Sequence, residues 1–272
     1  PVPAAGLAEH VFGVVGVNDW SARDIQAWEY QPLGPFQAKA TATTVSPWIV
    51  TRAALEPFRC NTPAREKELL PHLRDNGPML YDIDLAVTLA PEGKAASTVA
   101  ETNYNVMYYS AAQQLAHHTT SGCPMNPGDL LGSGTISGPE KHQRGSLLEL
   151  SWGGKEPVTL DTGESRTFLE DGDRLTLTGT ARGDGFTLGG NHGQTLQSAD
   201  LPPLVVRQHH PHFDFLVFLI IELGQVAVEG SAQLAGHLIE GEPQGPAPGG
   251  QFKGQLFLAV GQVVVHVADP GE

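Results

Sequence analysis

Basic residues are scarce in this 272-residue chain. Sixteen Lys and Arg stand against thirty Asp and Glu, for a formal charge of −14. Phosphate backbones are neutralised by clustered cations, and these sixteen are scattered, so a nucleic-acid partner is excluded. Cysteine is scarcer still: Cys60 and Cys123 are too few for a disulfide framework, and a reducing cytosol is the expected compartment. Long apolar runs are missing too. The longest, Phe215–Ile221, is far short of the roughly 20 residues that span a bilayer. No signal-like stretch opens the sequence, so no membrane partner is expected. What abounds is glycine (32) and proline (21), a composition that opposes long helices and favours strands and turns. The fold class expected is α+β, rich in β.

Residues 11–17, VFGVVGV, form a short β-branched run and predict a buried strand. Residues 45–50 predict another. Residues 81–89 alternate cleanly, with Ile83, Leu85, Val87 and Leu89 on one side and Asp82, Asp84 and Thr88 on the other, as in a half-buried antiparallel strand. Further strands are expected at 145–152, 156–160 and 174–181, and a short one within 126–138. Two helices are expected, over 103–119 and from the stretch 18–36. Residues 57–78 read as an exposed, proline-broken connection. From 190 onward the texture changes: one Lys, one Arg, no Tyr and six of the eleven histidines remain, with a linker-like segment at 240–254.

The stretch NDWSARDIQAWEYQPLGPF (18–36) concentrates chemistry. Ser21 with Asp24 resembles a capping box, and Pro32 ends the helix. Asp19, Arg23, Gln26 and Tyr30, at offsets 0, 4, 7 and 11, share one helical face; with a helix start nearer Ser21, Asp19 sits in the entry turn beside that face. That face could be merely solvated, with an Asp19/Arg23 pair contributing about 0.3–0.5 kcal/mol. With Lys39 in the following loop, it also suits an anionic, oxygen-rich ligand. The carboxylate would serve a hard cation, Arg and Lys developing negative charge, and Gln and Tyr orientation.

This stretch, together with TTVSPWIV, QQLAHHTTSGC, PGDLLGSGTISG, LLELSWGG and RTFLEDGD, closely resembles the fumarylacetoacetate hydrolase family, in its fumarylacetoacetase branch. The resemblance covers residues 1–189, and 190–272 read as a non-family tail, disordered or artefactual. It implies a mixed β-roll with two short helices, a homodimer, and metal-dependent hydrolysis of the carbon–carbon bond of 4-fumarylacetoacetate to fumarate and acetoacetate, the last step of tyrosine breakdown. The cation would be Mg²⁺ or Ca²⁺. By resemblance Asp19 is a metal carboxylate, with Lys39 and Thr43 also associated with the metal. Arg23, Gln26 and Lys39 would surround the oxyanion and substrate, Tyr30 would bind a substrate oxygen, and Thr135 would touch substrate. Glu149 would orient the histidine that acts as base. Ala42 stands where the family has glycine, at a cost of about 1 kcal/mol if the backbone needs a positive φ.

In the family the basic histidine, a further metal aspartate and a Glu-x-Glu pair precede a segment like the one opening this sequence. The chain itself therefore carries one of four metal carboxylates and is expected to be at best feebly active. A second reading is a non-catalytic remnant that keeps the dimer surface and pairs with full-length subunits. His117 and His118 read as structural, the cluster His209, His210 and His212 as a chance feature of composition, and Asp171 and Asp173 as turn acids.

Overall fold

Alternation builds the first of two five-stranded sheets. Ile83, Leu85, Val87 and Leu89 are buried, and Asp82 and Asp84 are exposed. Their strand, Asp84–Ala90, runs antiparallel to Ser97–Asn103 on one edge and to Arg174–Gly183 on the other. Arg174–Gly183 in turn pairs with Phe186–Gly189 and Gln194–Gln197. Leu175 and Leu177 meet the buried side chains of 83–89 in one apolar core. Each fully buried leucine contributes about 1.5–3 kcal/mol of transfer free energy.

The computed structural model describes residues 3–6, 10–40, 42–184 and 186–189, together with the strands Gln194–Gln197, Pro211–His212, Phe215–Ile221, Gln255–Ala259 and Gln262–His266. His209, His210 and the linker-like segment 240–254 lie outside the described residues.

The second sheet is organised on β1 (Val11–Asp19), which is followed by β2 (Ser21–Ala22). One edge of β1 receives β3 (Thr43–Val45) and β4 (Val50–Thr51). Its other edge receives Phe215–Ile221, which also pairs with Leu130–Gly132. Gly13 is required where β4 crosses, because a Cβ there would stand 2.5 Å from the Val50 carbonyl oxygen.

The two longest helices are α1 (Arg23–Glu29) and Ala111–Thr120. The second starts later than the sequence spacing suggests, because Ser110 and Gln113 form a capping box that fixes its first turn. Residues 145–152 are not a strand. Ser146 caps a single helical turn, Leu147–Leu150, and its hydroxyl accepts from the Glu149 N–H. The expected strand 45–50 is split into β3 and β4 by Ser46 and Pro47, and proline cannot donate to a ladder.

The connection 57–78 is irregular, as expected, yet it is pinned. Asp75 accepts from Arg65 Nε at 2.7 Å and from Arg65 Nη2, Thr62 and Gln113, while Arg65 donates to the Tyr108 carbonyl and lies over its ring. The hydrogen-bonded guanidinium holds the Asp75 carboxyl below its ordinary range. A depressed carboxyl contributes stability that is complete above its unfolded pKa and lost as pH falls through the lower folded one. Asp75→Asn should therefore cost about 1–2 kcal/mol at pH 7, and the deficit should shrink below about pH 4. Urea titrations of both proteins at pH 7 and pH 3 check this.

Candidate active site

The site begins with strand alternation at the end of β1. Asn18, Trp20 and Ala22 turn into the interior, each at most 1% exposed. Asp19 and Ser21 must then share the other side. Trp20 Nε1 donates to Thr44 Oγ1 at 2.7 Å and ties this turn to β3. In β3, Thr43 lies directly opposite Asp19.

Lys39 comes in from α2 (Gln37–Ala40). Its ammonium donates to Asp19 Oδ2 at 2.8 Å and to Ser21 Oγ at 2.6 Å, while the Ser21 hydroxyl donates to the Asp19 carbonyl. Glu29, at the end of α1, sets the position of α2. Its carboxylate accepts the backbone N–H groups of Phe36 (2.7 Å), Ala38 (2.8 Å) and Gln37 (3.2 Å). These bonds, led by Ala38, hold the Glu29 carboxyl below the usual range. Glu29→Ala should speed hydrogen exchange at Phe36 and Ala38 several-fold while leaving the strand Asp84–Ala90 unchanged. Unchanged exchange at those two amides would show that Glu29 does not hold α2.

Several expectations for this stretch are corrected. The helix has two turns, not three, and its N-cap is Ala22 with no side-chain cap, because the Ser21 hydroxyl is engaged by Lys39. Asp19 lies before the helix, as a start near Ser21 requires, but at the end of a strand and not in an entry turn, and it forms an ion pair with Lys39. Arg23 instead donates from Nη1 to Gln26 Oε1 at 2.5 Å, one turn along α1. Tyr30 is the C-cap of α1 and half exposed. Ala42 is partly buried and, among the described non-glycine residues, only Trp152 has a positive φ, so the glycine-to-alanine difference brings no such strain.

Thr135 and Glu149 belong to a second cluster. Glu149 Oε2 accepts the hydroxyls of Ser137 and Ser146, each at 2.8 Å. Ser137 Oγ accepts the Gly145 N–H at 2.9 Å. A Cβ at Gly145 would collide with the Ile136 carbonyl, so glycine lets the Thr135–Ser137 segment lie against the turn bearing Glu149. Thr135 is exposed, two residues from Ser137. The register of Leu130–Gly132 against Phe215–Ile221, and of the latter against β1, makes Leu130–Gly132 parallel to β1. The chain beyond Gly132 thus leaves the sheet at the end where β1 presents Asp19.

The donors are chemically right for a hard cation: a carboxylate at Asp19, and a hydroxyl at Thr43 opposite it. Their number is small. Among the described residues no group of three or more His, Cys, Asp and Glu could hold a metal ion, so Asp19 and Thr43 would by themselves fill only part of a cation's shell. His117 and His118 are exposed on the last turn of Ala111–Thr120. Asp173 accepts from Arg166 and from the Glu170 N–H within its turn. Glu29 and Ser21 were not singled out as site residues from sequence. The spacing of an acid eight residues before a Gln-Ala-Lys turn is a weak signal, and only the fold makes it a latch.

The family described as fumarylacetoacetate (FAA) hydrolase C-terminal matches residues 2–189. Fumarylacetoacetase of Arabidopsis thaliana is 52% identical over 190 residues, covering 70% of this chain and 45% of the relative. The Homo sapiens fumarylacetoacetase is 50% identical over the same shares, and that of Dictyostelium discoideum 47% over 74% and 48%. The chain therefore spans about half the length of the curated relatives it matches. No described helix is long and apolar enough to cross a membrane. The chain belongs to the fumarylacetoacetate hydrolase family and carries its C-terminal domain.

Proposed function

We propose that residues 1–189 form one wall of a metal-dependent carbon–carbon hydrolase acting on 4-fumarylacetoacetate. The observation that carries this reading is the Asp19–Ser21–Lys39 cluster beside Arg23 and Gln26, in a chain about half identical to fumarylacetoacetases. A bound Mg²⁺ or Ca²⁺ would supply Lewis-acid polarisation of the diketone oxygens. The residues themselves do the rest. Lys39 and Arg23 present fixed positive charge to an oxyanion, Gln26 and Tyr30 orient substrate oxygens, and Thr135 borders the substrate. Asp19 holds the Lys39 ammonium in place and offers an oxygen to the cation. Glu149 is a carboxylate already fixed by two serine hydroxyls, and so suited to orienting a neighbouring donor.

A single carboxylate gives weak cation affinity, because Ca²⁺ and Mg²⁺ sites are tuned by ligand charge count. Slow turnover is expected, rising with cation up to about millimolar concentrations. The loss of diketone ultraviolet absorbance with the purified chain, with and without Mg²⁺ or Ca²⁺, tests this. Metal-independent turnover, or none from folded protein, would overturn it. We place the chain in the cytosol, in keeping with its two free cysteines, and as a homodimer, a reading supported by the exposed Trp28, Leu33, Phe36 and Trp48 around α1 and β3. Sedimentation equilibrium returning a monomer would remove the dimer.

A further inference from the structure

Asn-Gly occurs once in the sequence, at Asn76-Gly77. The pair lies in the loop between Leu73 and Met79, which are buried, and residues 74–78 are exposed. Both sides of that loop are held. Asp75 accepts from Arg65, Thr62 and Gln113, the Asn76 N–H donates to Met79 Sδ at 3.3 Å, and the Pro78 carbonyl accepts from Arg59 Nη1 at 3.2 Å. Between these anchors two groups stay unengaged. Among the described residues, neither the Asn76 carboxamide nor the Gly77 N–H has a hydrogen-bond partner. Gly77 has φ +76°, where an L side chain is strained, and nothing lies within 4 Å of the place a Cβ would take. The Gly77 nitrogen is therefore unshielded, and the carboxamide one residue before it can turn toward it. The other described asparagines lack this combination. Asn18 is fully buried, and Asn103 and Asn105 donate from their carboxamides to Asp82. Thr62 places a branched side chain beside the nitrogen that follows Asn61, and Pro127 leaves no N–H after Asn126.

We propose that Asn76 is a self-modification site, deamidating through its own backbone, and that its isoaspartyl product releases Arg65 from Asp75. Base removes the Gly77 amide proton, and the nitrogen lone pair bonds to Asn76 Cγ. The Cγ–Nδ2 bond then breaks, and Nδ2 leaves with its electron pair, takes up a proton and departs as ammonia. The product is a five-membered succinimide, which water opens at either carbonyl. Breaking the bond from the Gly77 nitrogen to Cγ gives aspartate. Breaking its bond to the backbone carbonyl carbon gives isoaspartate, whose main chain runs through Cβ and Cγ and is one atom longer. Met79 is fixed in the core on one side, so the added length displaces Asp75 on the other. Asp75 is the residue that Arg65, Thr62 and Gln113 all grip, and Arg65, 16% exposed, depends on it for cover. The two steps are independent of the hydrolase reading.

Peptide mass spectrometry of the folded chain reads the first step. Trypsin cleavage at Arg74 and Lys94 releases residues 75–94, in which Asn76 is the only carboxamide. During storage at neutral and mildly alkaline pH this peptide should gain the mass of hydroxyl over amine and separate into aspartate and isoaspartate forms, faster at the higher pH. The rate should be within about tenfold of that in the guanidinium-unfolded chain, because the loop offers no protection. The peptide bearing Asn61 should stay unchanged. A native rate slower than that, or equal modification at Asn61, would overturn the site. Brief digestion of the folded chain reads the second step, because trypsin cuts after Arg65 only where its side chain is released. Cleavage there should be several-fold faster in aged than in fresh protein. Asn76→Asp, which adds the charge without the extra backbone atom, should behave as fresh protein does. Equal cleavage of fresh and aged chains, or Asn76→Asp cut as fast as aged protein, would overturn the release of Arg65 and leave the modification site standing.

Discussion

Under the proposed hydrolase reading, Lys39→Met should lower fumarylacetoacetate hydrolysis by about 100-fold or more, the loss typical when one fixed donor to an oxyanion is removed. The expectation follows from geometry. Lys39 is held by two site atoms, Asp19 Oδ2 and Ser21 Oγ, and its helix is latched by the Glu29 carboxylate. The change should leave stability within about 1 kcal/mol, because the Asp19–Lys39 pair is about a quarter exposed on both sides and is screened by water. Activity and stability thus separate. Kinetics at high enzyme concentration, with a urea titration of the same sample, measure both. A rate within threefold of wild type would show that Lys39 positions Asp19 and does not face the reaction.

Asp173→Ala should be the most destabilising single change outside the apolar core, at about 3–5 kcal/mol. Asp173 is fully buried as a side chain, and Arg166, at 10% exposure, donates to both of its oxygens at 2.9 and 3.0 Å. The same carboxylate accepts the Glu170 N–H at 2.8 Å. Bonding to Asp173 raises the Arg166 pKa, but a guanidinium stays charged in proteins even without such a partner, so removing Asp173 leaves an uncompensated charge. Glu170, 3.3 Å from Arg166, offers only a solvent-exposed substitute. The double change Arg166→Met/Asp173→Ala should recover part of the loss, because the uncompensated charge goes with it. Denaturant midpoints at constant m-value give the comparison. A loss below 1 kcal/mol for Asp173→Ala would mean that water reaches Arg166.

Legibility in the sequence followed how local each cause was. The strand around Val87 could be read because its alternation and its burial are the same fact. The run at 145–152 could not, since a short apolar segment has no period of its own, and the deciding interaction is the Ser146 cap. Arg23 and Gln26 were correctly placed together because both lie within one turn of α1. Asp19 was expected beside a helical face and lies instead at the end of a strand. Its neighbours Trp20 and Thr44 bond across 24 residues, and that contact makes the segment a strand. Glu29 was least legible, since its relation to the site passes through the loop that leads to α2.

The alternation around Trp20 also limits how this segment can change over generations. Between Asn18 and Ala22, odd positions carry chemistry and even positions carry the interior. Substitutions there can be graded, but a change in length cannot. Inserting or deleting one codon would invert the two sets, turning an indole toward Lys39 and a carboxylate into the core. Lineages of this domain should therefore tolerate varied residues across these five positions while keeping their spacing fixed, with length variation confined to the loops beyond α1.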